Sequence, residues 1–158
     1  MTSRTTARRP RQAPLPPRWF IRAAWVVHRT LYRLLGRRAL RRAGDATWGM
    51  LRLHTVGRKS GQHRIAILGY FEDGPNLVTM AMNGWGAPEP AWWLNLQANP
   101  DTTVELPDGR TVEVHGRAAT AEERPRLWDA WRRYDGEDLD SWAARRPNET
   151  AVVILEPR

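Results

Sequence analysis

Short stretches of alternating hydrophobic and polar positions dominate the chain after about residue 46, and helical spacing marks other segments. Thr47 to Thr55 places Trp48, Met50, Leu51 and Leu53 around Arg52 and predicts a strand. Arg64 to Phe71 predicts a second strand and Asn76 to Met82 a third, with the turn Glu72-Asp73-Gly74-Pro75 between them. Thr102 to Leu106 and Arg110 to Arg117 flank Pro107-Asp108-Gly109, a hairpin signal. Ala151 to Leu155 is a last, β-branched run. Three helices fit between these strands. One spans about Pro90 to Ala98 and is halted by Asn99-Pro100. A second starts at Thr120-Ala121-Glu122-Glu123, a capping-box pattern, and continues through Trp131 toward Tyr134. A short third covers Leu139 to Arg145. Hairpins mixed with a few helices make the class α+β with an antiparallel barrel.

Before the strands, residues 18–42 read as an amphipathic helix. Phe20, Ala24, Val27, Leu31 and Leu34 line one face, and Arg22, Arg29 and Arg33 lie opposite. Residues 1–17 are rich in Arg, Pro and Thr and read as an extended tail. The chain thus divides into a basic tail and helix, 1–42, and a barrel domain, 43–158.

Charge sharpens that division. The net charge is +8 over 158 residues. Residues 1–42 hold twelve Arg and no acid; the remainder holds thirteen basic and all 17 acidic residues, giving +12 and −4. The basic helix suits either packing on the domain or an anionic membrane surface. No stretch is long and apolar enough for a spanning helix, and the N-terminus lacks the cleavage site of a signal peptide. The expected location is cytoplasmic, with peripheral attachment to the inner face of the cell membrane if the helix meets lipid. No nucleic-acid partner is expected, because the body is acidic and carries no nucleic-acid motif. Cys is absent, and His28, His54, His63 and His115 show no ligand spacing, so no metal is expected.

Two segments carry candidate chemistry. Gly57-Arg58-Lys59-Ser60-Gly61-Gln62-His63-Arg64 brackets cations and a hydroxyl with glycines, which makes an anion cradle or a solvated polar hairpin. Lys59 is the single lysine of the chain. A strand follows it, so this is not a nucleotide-binding P-loop. Asn83-Gly84-Trp85-Gly86-Ala87-Pro88-Glu89-Pro90 is a Gly-rich loop entering a helix with Trp92 and Trp93. Small residues there would let a flat ring approach the backbone, and one of the two Trp is expected in the core.

These blocks, in this order, resemble the deazaflavin-dependent nitroreductase family, also described as F420H2-dependent quinone reductases. The likeness runs from about residue 50 to the C-terminus. It rests on Gly57-Arg58-Lys59-Ser60-Gly61 with Arg64, on Glu72-Asp73-Gly74, on Pro90-Ala91-Trp92-Trp93-Leu94-Asn95-Leu96 with Ala98-Asn99-Pro100, and on Leu155-Glu156-Pro157. The resemblance implies a split β-barrel of the flavin-reductase, FMN-binding type. It implies coenzyme F420 (an 8-hydroxy-5-deazaflavin) as hydride donor and a quinone or nitroaromatic as acceptor. It assigns Arg58, Lys59, Ser60 and Arg64 to the coenzyme's phosphate and acidic tail. The strand Ile65, Ala66, Ile67, Leu68, Gly69 would run its backbone along the coenzyme. Met80, Ala81, Met82 and Asn83 would lie beside the ring, and Ala91, Trp92, Trp93, Leu94 and Asn95 would close the other side.

The family often has proline at Ile67, an aromatic at Gly69 and a small residue at Met82, and its C-terminal tyrosines are here reduced to Tyr134 with Trp142. The changes at Gly69 and Met82 fall on the substrate side. Tyr134 is the candidate proton donor. A non-catalytic carrier of F420 is the alternative, as is a protein of the same fold that uses FMN, which lacks the acidic tail.

Overall fold

The computed structural model describes residues 40–44, 47–135 and 138–158. The helix expected over 18–42 lies outside these residues except for its last three positions. Six strands form one closed antiparallel barrel: β1 (Gly49–Val56), β2 (His63–Asp73), β3 (Asn76–Met80), β4 (Asp101–Glu105), β5 (Thr111–Ala118) and β6 (Val152–Pro157). The order around the barrel is β1-β2-β3-β6-β5-β4, and β1 closes on β4 through Arg52–Glu105 and Leu53–Val104. Among the described residues three α-helices decorate it: α1 (Ala91–Ala98), α2 (Glu123–Asp135) and α3 (Leu139–Ala143).

Alternation places the interior. Leu51 and Leu53 of β1, Leu68 and Tyr70 of β2, Val104 of β4 and Val114 of β5 meet inside. Outward positions on β1, β4 and β5 are mostly polar and at least partly exposed, which is why those strands alternate in sequence. β3 and β6 differ. Leu77, Val153 and Leu155 face inward, while Val78, Met80, Val152 and Ile154 face out under α2. Both faces are buried, so these strands read as continuous apolar runs.

The helix α2 covers that outer face with Leu127, Trp128, Ala130 and Trp131. Its start carries the expected capping box: the Thr120 hydroxyl accepts from Glu123 N–H at 3.3 Å, and the Glu123 carboxylate accepts from Thr120 N–H at 2.8 Å. Arg126 grips Asp73 of the β2–β3 hairpin with two bonds of 2.6 and 2.8 Å. That grip holds the Asp73 carboxyl below its ordinary range. Helix α1 closes one end of the barrel with Trp93 and Leu96. It sits close because residue 116 is Gly; a Cβ there would lie 2.5 Å from Leu96.

Most boundaries shift by one or two residues from the sequence reading, and two of the shifts bear on the loop after β3 and on the last helix. The third strand stops at Met80 rather than Met82. Asn83, Gly84 and Trp85 take φ of 48°, 58° and 61°, and this left-handed turn carries the chain out of the sheet. The third helix ends at Ala143 instead of Arg145. Trp93 is buried and Trp92 only partly, as expected for one core Trp of the pair.

Candidate functional site

The strands β2 and β3 part company at one end of the barrel. Their ladder runs from Asp73–Asn76 to Phe71–Val78 and stops there. Yet β2 extends back to His63, paired only with β1. The β3-facing edge of residues 63–70 therefore has no strand partner among the described residues. In an antiparallel strand every second residue directs both its N–H and its C=O to such an edge. This opening supplies backbone hydrogen-bonding groups without a sheet neighbour.

At the start of that edge stands the Gly57–Arg64 turn. Gly57 N–H donates to Gln62 O at 2.8 Å, and the N–H groups of Ser60 and Gly61 donate to Gly57 O at 3.1 and 2.7 Å. A Cβ at residue 57 would lie 2.7 Å from the Ser60 hydroxyl, so the tight turn needs glycine there. Buried Asn95 of α1 fastens the turn from below. Its Oδ1 accepts from Arg58 N–H at 3.1 Å, and its amide lies 3.5 Å from the Thr55 hydroxyl. One side chain thus joins two sequence blocks 37 residues apart.

The electrostatics of the turn set it apart. Arg52, Arg117, Arg124, Arg126, Arg132 and Arg146 each sit on a carboxylate. Arg58, Lys59 and Arg64 are exposed and have no acidic partner among the described residues. Arg64 donates to neutral Gln62 at 2.8 Å. Three cations on one hairpin with no acidic partner among the described residues make a strongly positive patch.

Not every candidate side chain points toward the opening. Ala66, Leu68, Ala81 and Trp93 belong to the barrel interior, and Met80 belongs to the cluster under α2. These positions can offer a ligand only backbone. Ile65, Ile67 and Gly69 alternate to the outer face, where Ile65 is 44% exposed. Ser60 and Ala91 are exposed, and Leu94 is half-buried. Met82 and Tyr134 pack on the outer cluster, and the Tyr134 ring stacks on Phe71 at 5.8 Å.

Sequence reasoning missed several neighbours. Trp48 lies over Gly69; a Cβ at Gly69 would be 3.1 Å from its ring. Arg41 in turn covers Trp48 at 4.9 Å and donates to its carbonyl at 2.8 Å. The aromatic absent from residue 69 is thus replaced in space by one from 21 residues earlier. A polar chain runs along the outside of β1. Glu105 accepts from Arg52 at 3.0 Å and from His54 Nε2 at 2.9 Å. His54 Nδ1 in turn lies within hydrogen-bond reach of His63 Nε2, 2.8 Å away. No spacing motif marks this chain, because cross-strand register assembles it. Arg146, also unmarked in sequence, is buried against the Ala81–Glu89 loop.

A six-stranded antiparallel barrel with a parted strand pair, an exposed cationic turn and a Trp-bearing helix beside it is a split β-barrel. The family described as F420H(2)-dependent quinone reductase matches residues 28–157. The Rv3178 protein of Mycobacterium tuberculosis is 36% identical over 112 residues, covering 68% of this chain and 89% of its own. The F420H(2)-dependent quinone reductase Rv1261c of Mycobacterium tuberculosis is 29% identical over 146 residues, covering 89% and 97%. A solved F420-H2 dependent reductase, FDR-A, superposes with a TM-score of 0.58 at 25% identity, covering 68% of this chain and 93% of that one. The chain belongs to the F420H(2)-dependent quinone reductase family. It is an oxidoreductase whose coenzyme is F420. That coenzyme joins a deazaflavin ring to a phosphodiester and a glutamate tail, and the unpaired cations beside an open strand edge fit both parts. No described helix is long and apolar enough to cross a membrane.

Proposed function

We propose that this protein passes a hydride from reduced F420 to a quinone, with the coenzyme tail on the Gly57–Arg64 turn and the ring along the free edge of β2. The observation that carries the reading is the unpaired state of Arg58, Lys59 and Arg64 in a body whose other arginines are largely matched by acids. Reduced F420, when bound, supplies the hydride; a quinone that takes it together with one proton leaves as the hydroquinone.

The chain's own groups hold the partners. Arg58, Lys59 and Arg64 bind tail anions through charge-assisted hydrogen bonds, and Ser60 adds a hydroxyl. Backbone groups of Ile65 to Gly69 fix the long axis of the ring. Met82 and Asn83 form one wall, and α1 from Ala91 to Asn95 forms the other. Trp48 over Gly69, with Met82 and Tyr134, makes an apolar acceptor side that excludes water. Tyr134 and backbone N–H groups at Met82 and Asn83 are the groups available to stabilise oxyanion charge on the acceptor or to deliver its proton.

The test is fluorescence titration of the full chain with F420, followed by menadione added to the reduced complex. Saturable binding at micromolar protein with quinone-dependent reoxidation is the expected outcome. An activated nitroaromatic in place of menadione tests the wider acceptor class. Binding with no turnover of either acceptor would leave a carrier, and no binding at all would sink the reading.

A further inference from the structure

The residue that shapes the ring-facing wall lies far from it in sequence. Arg146 follows α3 and has a side chain only 1% exposed. Its guanidinium donates to Ala81 O at 2.7 Å, Gly86 O at 3.2 Å, Thr150 Oγ1 at 2.9 Å and Glu89 Oε1 at 3.0 Å. Ala81 directly follows β3, Gly86 follows the left-handed turn, and Glu89 stands just before α1. One planar fork therefore spans both ends of the Ala81–Glu89 loop.

That loop does not hold its shape by local preference. Asn83 and Trp85 are non-glycine residues at φ of 48° and 61°, flanking Gly84 at 58°. Such residues are strained, and consecutive ones persist only where the surroundings dictate them. The local supports are Trp85 N–H to Met82 O at 2.7 Å, Gly86 N–H to Asn83 O at 3.1 Å, and the Asn83 amide to Pro88 O at 2.8 Å. The Trp85 indole is anchored beside Trp142 at 6.1 Å. Arg146 is the charged group that ties this turn to the barrel. Lysine could not replace it, because a single ammonium cannot reach Ala81 O, Gly86 O and Glu89 at once.

We propose that Arg146 is a positioning residue: paired with Glu89, it fixes the left-handed Asn83–Trp85 turn as the wall that orients the coenzyme ring, and so it sets the rate of turnover while the Gly57–Arg64 turn sets coenzyme capture. This rests on the F420 reading above.

Removing Arg146 alone leaves Glu89 stranded. Its Oε2 is already buried without a partner, so the whole carboxylate would lose its counter-charge. Arg146→Met should therefore lose stability as well as function. The discriminating variant is Arg146→Met combined with Glu89→Gln, which removes the stranded charge but still leaves Ala81 O and Gly86 O without their donor. The full chain is assayed for Tm, for the KM of reduced F420 and for kcat with menadione at saturating coenzyme. The double variant is expected to recover most of the Tm lost by the single one. Its kcat should stay at least tenfold below wild type, with the coenzyme KM within about threefold. Arg146→Lys, which keeps the charge, should show the same split in milder form and serves if the double variant does not fold. Wild-type kcat in either variant, or kcat and KM falling together in step with Tm, would overturn the proposal. If wild type itself turns over no F420, the F420 reading fails first and the proposal falls with it; normal wild-type turnover with unaffected variants sinks the proposal alone.

Discussion

The two sides of the barrel use the same materials in opposite ways. On the β3–β6 side, strands are buried on both faces, α2 lies flat across them, and Arg126 is matched by Asp73. On the β2 edge, the ladder stops at Phe71, backbone groups face an opening, and Arg58, Lys59 and Arg64 carry unmatched charge. The first side satisfies its groups internally and supplies stability. The second leaves its edge groups without a strand partner among the described residues, and under the proposed reading these are the groups that would meet the coenzyme. Charge without an acidic partner among the described residues, in a fold that pairs most of its other arginines, is more informative than the overall net charge. The net charge is positive because of residues 1–42, not because of the site.

The comparison can be broken or sharpened by substitution on either side. The largest effect should come from Trp131→Ala under α2. Trp131 is 1% exposed, and truncating such a ring costs about 3–5 kcal/mol. A urea melt should show that loss; a loss below about 1 kcal/mol would mean the α2 side is not where stability resides. Next is Lys59→Ala on the open side. Coenzyme affinity should fall by about 1–3 kcal/mol, the range for losing a bond to a charged group, while Tm stays within about one degree. Unchanged affinity removes Lys59 from the site, and a falling Tm removes the distinction between the two sides.

The smallest effect concerns Glu123 at the start of α2. The Arg117 guanidinium, and then the Thr120 N–H, hold its carboxyl down to about 2 from an ordinary 4.5. A depressed folded value gives stability that is present above about pH 4.5 and is lost as pH falls toward 2. Both partners are 32% exposed, and solvent screening keeps the contribution to at most about 1 kcal/mol. Glu123→Gln should therefore be slightly less stable than wild type at pH 7 and equal to it near pH 2. A gap that widens in acid would contradict this assignment.

How much could be read in advance differs between elements for a physical reason. Strand alternation, the Pro-halted α1 and the capping box at Thr120 are local, so they were legible, and the six strands lie where the pattern puts them to within two residues. The end of β3 was not legible. Ala81 and Met82 continue an apolar run, and only the left-handed turn held by Arg146 and Trp85 diverts the chain. Asn95 was legible as part of a block, but its bond to Arg58 was not, since the contact depends on α1 meeting the end of β1. Trp48 over Gly69 and the chain Glu105–His54–His63 have no sequence signature, because barrel closure and strand register bring them together.

The sequence by itself therefore determined the α+β class, the hairpin order, the split of charge between tail and body, and the residue types of an anion cradle. These follow from periodicity, turn chemistry and composition, which act over a few residues. Only the tertiary structure decided that the cations of the Gly57–Arg64 turn lack acidic partners and β2 an edge partner among the described residues, and that buried Arg146 bonds both ends of the Ala81–Glu89 loop. Those facts depend on distances between segments far apart in the chain, and such distances exist only once the barrel has closed.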